Sequence, residues 1–146
     1  MNIDKSVQAL LHGLQYKKLL ENRIISIQEK YDLRKVDIEV LYFLAHCGEH
    51  NTARDIRADM NLTKGHISQS VDRLQKMGLV MQVPDKEDRR YIHLAPTEQA
   101  KTLMDEILDA WDSLNQSVFA GITEDEVQVL KTVAQKIKNN LEKELK

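Results

Sequence analysis

A chain of 146 residues with 42% hydrophobic composition can bury one core but is short for an elaborate enzyme. Its formal charge of −2, from 21 Lys and Arg against 23 Asp and Glu, excludes a uniformly basic nucleic-acid binder. The one cysteine, Cys47, excludes an intramolecular disulfide framework and fits a reducing compartment.

From the N-terminus, Ile3, Val7, Leu10, Leu11, Leu14, Leu20, Ile24 and Ile27 recur at helical spacing and predict one long helix from Asp4 to Lys30, capped by Asn2 or Asp4. The start Met1-Asn2-Ile3-Asp4-Lys5 lacks the features of a signal peptide, and no apolar run of about 18 residues follows, so a cytoplasmic location without membrane contact is expected. A second helix, Val36 to Cys47, carries Val36, Val40, Leu41 and Leu44 and ends at Gly48; it is apolar enough for a central core helix. Glu49 to Asn51 is a linker or strand that could pair along a later hairpin.

Between Thr52 and Pro96 lies the stretch that organises the chain. The helix Thr52 to Met60 turns Ala53, Ile56 and Met60 inward and Arg54, Arg57 and Asp59 outward, and Asn61-Leu62 makes a turn. Thr63 caps the next helix, Lys64 to Met77, which Gly78 stops. Ile67, Val71, Leu74 and Met77 stack on its inner side, while Lys64, Gly65, His66, Ser68, Gln69 and Arg73 form an outer surface of small or hydrogen-bonding residues. A helix-turn-helix of this kind lays its second helix in the major groove, where base pairs differ. Two runs of strand formers, Leu79 to Val83 and Tyr91 to Leu94, then flank the charged tip Pro84-Asp85-Lys86-Glu87-Asp88-Arg89-Arg90. This is a wing. Arg89 and Arg90 suit phosphates or a narrow minor groove, and Asp88 is expected to brace one of them. The segment Asn51–Pro96 holds eight basic against six acidic residues, and the rest of the chain thirteen against seventeen, so the basic excess lies where DNA would.

Beyond the wing, Thr97 is expected to cap a helix running to Ala120, with Ala100, Leu103, Met104, Ile107, Leu108, Trp111, Leu114 and Val118 at helical steps. Gly121 breaks it. Thr123 and Glu126 match a capping box for a last helix bearing Val127, Leu130, Val133, Ile137, Leu141 and Leu145. Long apolar stripes on the first and last helices call for a second subunit, the alternative being that they pack on each other within one chain.

The helix-turn-helix followed by Gly78-Leu79-Val80 and Asp88-Arg89-Arg90 resembles the bacterial MarR (multiple antibiotic resistance regulator) family, whose wing carries a D-R-R motif followed by a Leu-Thr-x-x-Gly helix entry. Here Thr97 is kept, but Pro96 stands for Leu and Ala100 for Gly. The resemblance implies a mainly α fold with a small β wing: a winged helix-turn-helix, residues 51–96, between long N- and C-terminal dimerisation helices, residues 1–50 and 97–146. It further implies a homodimeric transcription regulator, a repressor, on pseudo-palindromic double-stranded DNA, with binding modulated by a small aromatic effector or by oxidation. The DNA-binding set comprises Thr63, Lys64, Gly65, His66, Ser68, Gln69, Arg73, Asp88, Arg89 and Arg90.

Cys47 is a candidate redox or effector residue, weighed against a buried structural thiol. His46, Cys47 and His50 give three possible metal ligands where a structural zinc site needs four, so no metal and no cofactor is expected. Trp111, Met104 and Leu108 suit an effector pocket or plain core. No phosphate loop, nucleophile motif or paired carboxylates point to an enzyme. Winged helices also serve as protein-interaction modules that never touch DNA, and an exposed apolar patch on the wing would be the sign of one.

Overall fold

The structure, a computed structural model, describes residues 5–11, 15–60 and 63–146. Helices α1 (Lys5–Leu11), α2 (Tyr16–Tyr31), α3 (Lys35–His46), α4 (Ala53–Met60) and α5 (Lys64–Lys76) precede an antiparallel hairpin of β1 (Val80–Pro84) and β2 (Ile92–Pro96), a 3₁₀ turn (Glu98–Ala100), α6 (Lys101–Val118) and α7 (Glu124–Glu144). No described helix is long and apolar enough to cross a membrane. The chain divides into two compact units, Ile24–Asp109 and Met1–Arg23 with Ala110–Lys146.

The single N-terminal helix expected from apolar spacing is two helices. Gln15 adopts φ +68°, a left-handed conformation no L-residue takes inside an α-helix, and it ends the register before α2 starts. The expected caps Asn2 and Asp4, with Ile3 and Leu14, lie outside the described residues, as does the turn at Asn61 and Leu62.

In the unit Ile24–Asp109, α3 is the central helix as its composition predicts. Ile38, Val40, Leu41 and Leu44 are buried, and α3 packs on α5 and β2. Cys47 caps its C-terminus, and Gly48 reverses the chain at φ +57°. From α4 only Ile56 is fully buried; Ala53, expected inward, is exposed, and Arg57 and Asp59, expected outward, are half-buried. Helix α5 begins at Thr63, whose side chain accepts the His66 amide hydrogen at 3.3 Å. It buries Ile67, Val71 and Leu74, but Met77 is its C-cap and stays 42% exposed, so the apolar stripe ends one turn earlier than its spacing suggests. Gly78 follows at φ +75°, where a Cβ would also lie 2.5 Å from Gln99 Oε1.

The hairpin pairs Val80 with Pro96 through Pro84 with Ile92. Its inner face seats Val80 and Leu94 in the core. Asn51 joins it by one backbone bond, its carbonyl accepting the Leu94 amide at 3.0 Å, and forms no third strand. Thr97 does not cap a helix by its side chain. Its hydroxyl donates to the Gly78 carbonyl at 2.6 Å and its amide to Leu79 O at 3.0 Å, tying the end of the wing to the end of α5; a 3₁₀ turn precedes α6, which stops at Val118.

In the other unit, Val7 of α1, Phe119 and Ala134 of α7 form a cluster with Leu11, Val118, Val127 and Leu130 around it. Ser6 donates to Gln135 Oε1 at 2.8 Å, and buried Tyr16 donates to buried Asn115 Oδ1 at 2.6 Å. The capping box of α7 forms as expected: Thr123 Oγ1 accepts the Glu126 amide hydrogen at 3.2 Å, and Glu126 Oε1 accepts that of Thr123 at 3.0 Å. Further along α7, Val129, Val133, Ile137, Leu141 and Leu145 are exposed.

Candidate nucleic-acid interface

Two elements of the unit Ile24–Asp109 carry the residues singled out in the sequence. On α5, Thr63, Lys64, Gly65, His66, Ser68 and Gln69 are all exposed. Their exposure follows from the burial of Ile67, Ser70, Val71 and Leu74 on the other side of the helix. Thr63 Oγ1 also lies 3.0 Å from His66 Nδ1, which holds the imidazole at the helix start. A Cβ at Gly65 would meet only Thr63 Oγ1, at 3.9 Å, so nothing inside the protein requires glycine there.

Arg73, expected on the outer surface, is turned against the protein. Its Nη2 donates to Asp37 Oδ1 at 2.7 Å and its Nε to Asp37 Oδ2 at 3.3 Å, and its side chain is 27% exposed. Ser70 donates to the same Oδ1 at 2.6 Å. The helical position of Arg73, one turn beyond Ser70, places it on the border of the core, and a buried carboxylate captures it there. Asp37 itself could have been noticed as the acid inside a strongly apolar helix, since buried carboxylates are paired.

At the wing, Asp88 braces Arg90. Arg90 Nη2 donates to Asp88 Oδ2 at 2.9 Å, and Arg90 Nε and N donate to Oδ1 at 3.1 and 3.0 Å. The Arg90 guanidinium hydrogen-bonded to Asp88 holds that carboxyl below its ordinary range, and the carboxylate in turn raises Arg90. The Arg90 side chain remains 86% exposed, so the pair fixes the wing's shape without hiding the cation. Arg89 is exposed beside it.

A second brace has no local signal in the sequence. Asp85 Oδ2 accepts the amide hydrogens of Glu87 and Asp88 at 3.0 and 2.9 Å, closing the tip as an Asx turn, while His93 Nε2 donates to Asp85 Oδ1 at 2.7 Å. The other ring nitrogen, His93 Nδ1, is 2.5 Å from Asn51 Oδ1, so the wing loop is tethered to the segment entering the helix-turn-helix. The His93 hydrogen bond, with the two amides, holds the Asp85 carboxyl below its ordinary range. These groups border an open cleft of about 530 Å³ lined also by Gly48, Glu49, Val83 and Lys86.

The other candidates do not assemble into chemistry. Cys47 is half-buried with its thiol near the Leu44 and Gly48 carbonyls at 3.6 and 3.7 Å, and burial, with the Asp55 charge, pushes that thiol up, opposite to the activation a sensor needs. The His46 ring is drawn to Tyr42 O, and no group of three His, Cys, Asp or Glu side chains among the described residues could hold a metal ion. Trp111 is buried, and Met104 and Leu108 are half-buried.

Residues 33–100 match the winged helix DNA-binding domain family, a span that takes in α3 to the 3₁₀ turn. Over 92% of this chain and 98% of that one, the structure is similar to the transcriptional regulator PA3341, with a TM-score of 0.78 at 24% identity. The chain has the fold of the MarR regulators. A MarR-family regulator from Silicibacter pomeroyi aligns with a TM-score of 0.75 at 18% identity, over 90% of this chain and 88% of that chain. The MepR protein of S. aureus, in a complex with DNA, aligns with a TM-score of 0.66 at 19% identity, over 91% and 96%. The MarR fold therefore extends over nearly the whole chain, as its helix order and D-R-R wing suggest.

Proposed function

We propose that this protein is a MarR-type transcription repressor that binds a pseudo-palindromic operator as a homodimer in the cytoplasm. The observation that carries this reading is the exposed Asp88–Arg90 brace at the wing tip, because it preorganises a cation outward, where a guanidinium meets phosphate or a narrowed minor groove. The exposed first turns of α5, Lys64 to Gln69, supply donors and acceptors for base edges. The apolar residues left open on α7 support the dimer, and a two-fold axis would repeat the recognition helix on a second half-site. Relief of repression by a small aromatic molecule belongs to the same reading. Thiol oxidation is dropped from it, since burial and the Asp55 charge push the Cys47 thiol up rather than down.

One observation favours a second reading, a protein-interaction module. Met81, Val83, Tyr91 and Ile92 on the hairpin are 40–48% exposed, an apolar surface that DNA does not need. Selection of bound sequences from random duplex DNA, followed by salt titration on the best site, separates the two. An enriched inverted repeat with steeply salt-dependent affinity supports the repressor. No enrichment, with only weak binding at low salt, refutes it and leaves the interaction module.

A further inference from the structure

We infer that Asp37 is a positioning residue that sets the rotation of α5 about its own axis, and with it which side chains the recognition helix presents outward. The inference rests on the DNA-reading function proposed above.

Asp37 is 1% exposed in the first turn of α3, among the buried Ile38, Val40 and Leu41. Its carboxylate is fully engaged. Oδ1 accepts from Ser70 at 2.6 Å and Arg73 Nη2 at 2.7 Å, and Oδ2 from the Arg34 amide at 2.9 Å and Arg73 Nε at 3.3 Å. Three of these four donors belong to two residues of α5, one turn apart, on the flank of the stripe formed by Ile67, Val71 and Leu74. That stripe decides which face of α5 turns inward, but apolar burial follows area and fixes the exact roll of the helix only loosely. A forked guanidinium on a carboxylate, with a hydroxyl on the same oxygen, fixes direction.

The amplitude at stake is large for recognition. With side-chain tips about 6 Å from the helix axis, a roll of about 10° shifts them by about 1 Å, whereas a preorganised site tolerates about 0.5 Å. A buried ion pair is a poor device for stability, because well-packed apolar residues in its place are often as stable or more so. Angular specificity is what this one supplies. It also withdraws Arg73 from the phosphate-binding set, leaving Gly65, His66 and Gln69 to read the groove.

The test compares the parent with Asp37→Asn and with the double variant Asp37→Ala, Ser70→Ala, both in the full chain and both keeping Arg73 and every outward residue of α5. The readout is the ratio of affinities for the selected site and for the same site carrying single base changes, measured beside thermal unfolding. The double variant leaves no orphaned hydroxyl and lets Arg73 reach solvent, so it keeps the test decisive should the single variant not fold. The expected result is a folded protein whose discrimination falls about tenfold, a split that a merely structural role would not produce. Folded variants that discriminate like the parent would overturn the proposal. So would intact discrimination with a steeper salt dependence, which would mean that Asp37 only withholds Arg73 from a phosphate. A parent that selects no sequence removes the regulator reading first, and this inference with it.

Discussion

Replacing Gly65 by alanine is expected to move stability and DNA binding in opposite directions. Gly65 sits in the second position of α5, outside the positive-φ glycines, and a Cβ there meets only Thr63 Oγ1 at 3.9 Å. The methyl therefore enters open space, and a helical glycine relieved of its excess unfolded-state freedom gains about 0.5 kcal/mol. For a chain of this size that raises the unfolding midpoint by about 1–2 °C. On the operator the same methyl lies between backbone and groove. If α5 enters the major groove by its first turns, forcing an extra carbon into a packed contact costs about 1–3 kcal/mol, a loss of roughly 5- to 150-fold. Differential scanning calorimetry and fluorescence anisotropy at one fixed salt concentration measure the two quantities. An alanine variant that is more stable and binds the operator as tightly as the parent would refute the placement of this helix face against DNA.

Arg90→Ala should weaken binding to specific and mixed-sequence duplexes alike and lower the salt slope by about one. Because the Arg90 hydrogen bonds depress the Asp88 pKa, the wing brace is fully present above the ordinary value of 3.8 and is lost as pH falls through the lowered one; amide exchange at Arg90 should rise there and nowhere nearer neutrality. Tyr16→Phe removes the hydrogen on Asn115 Oδ1, an atom of a residue only 1% exposed, and should destabilise by about 1–3 kcal/mol in thermal unfolding. Cys47, with its thiol pushed up by burial, should react with iodoacetamide at pH 7.5 more slowly than free cysteine, and a faster reaction would reopen thiol sensing. Ile137→Glu places a charge in the exposed α7 stripe and should shift sedimentation toward the monomer without unfolding the chain, since its side chain is already 41% exposed.

The elements that were legible are those whose signals are local. Thr63, the spacing of Ile67, Val71 and Leu74, and Gly78 mark both ends and one face of α5 within sixteen residues. Asp88 and Arg90, two residues apart, pair as expected. The features that escaped depend on partners far along the chain or on a single dihedral. Ser70 and Arg73 meet an acid 33 and 36 positions away, and His93 meets Asn51 across 42. Helical periodicity alone assigns Arg73 to a flank and cannot say whether the flank faces solvent or a carboxylate. The break before α2 is hidden because apolar spacing continues through it, while Gln15 at φ +68° has no sequence signature.

On the function proposed above, the fates of three arginines bear on how such a chain would select DNA with so little net charge. Arg73 is neutralised by a buried acid, Arg90 is held by a half-buried one, and Arg89 stands open. Each acid has a different effect: Asp37 removes a cation from the surface, whereas Asp88 leaves one there but limits its motion. A count of basic residues in the segment overstates the cations open to phosphate, because Arg73 is paired inside the protein. Non-specific affinity scales with the phosphates neutralised, so this arrangement would keep the sequence-independent part small. Under that reading, discrimination between sites would come from the uncharged and weakly polar edge of Gly65, His66, Ser68 and Gln69, whose contacts depend on angle. A weakly basic reader of this kind would need its recognition helix held rigidly, and on the inference above Asp37 would hold the helix while the Asn51–His93–Asp85 tether holds the wing.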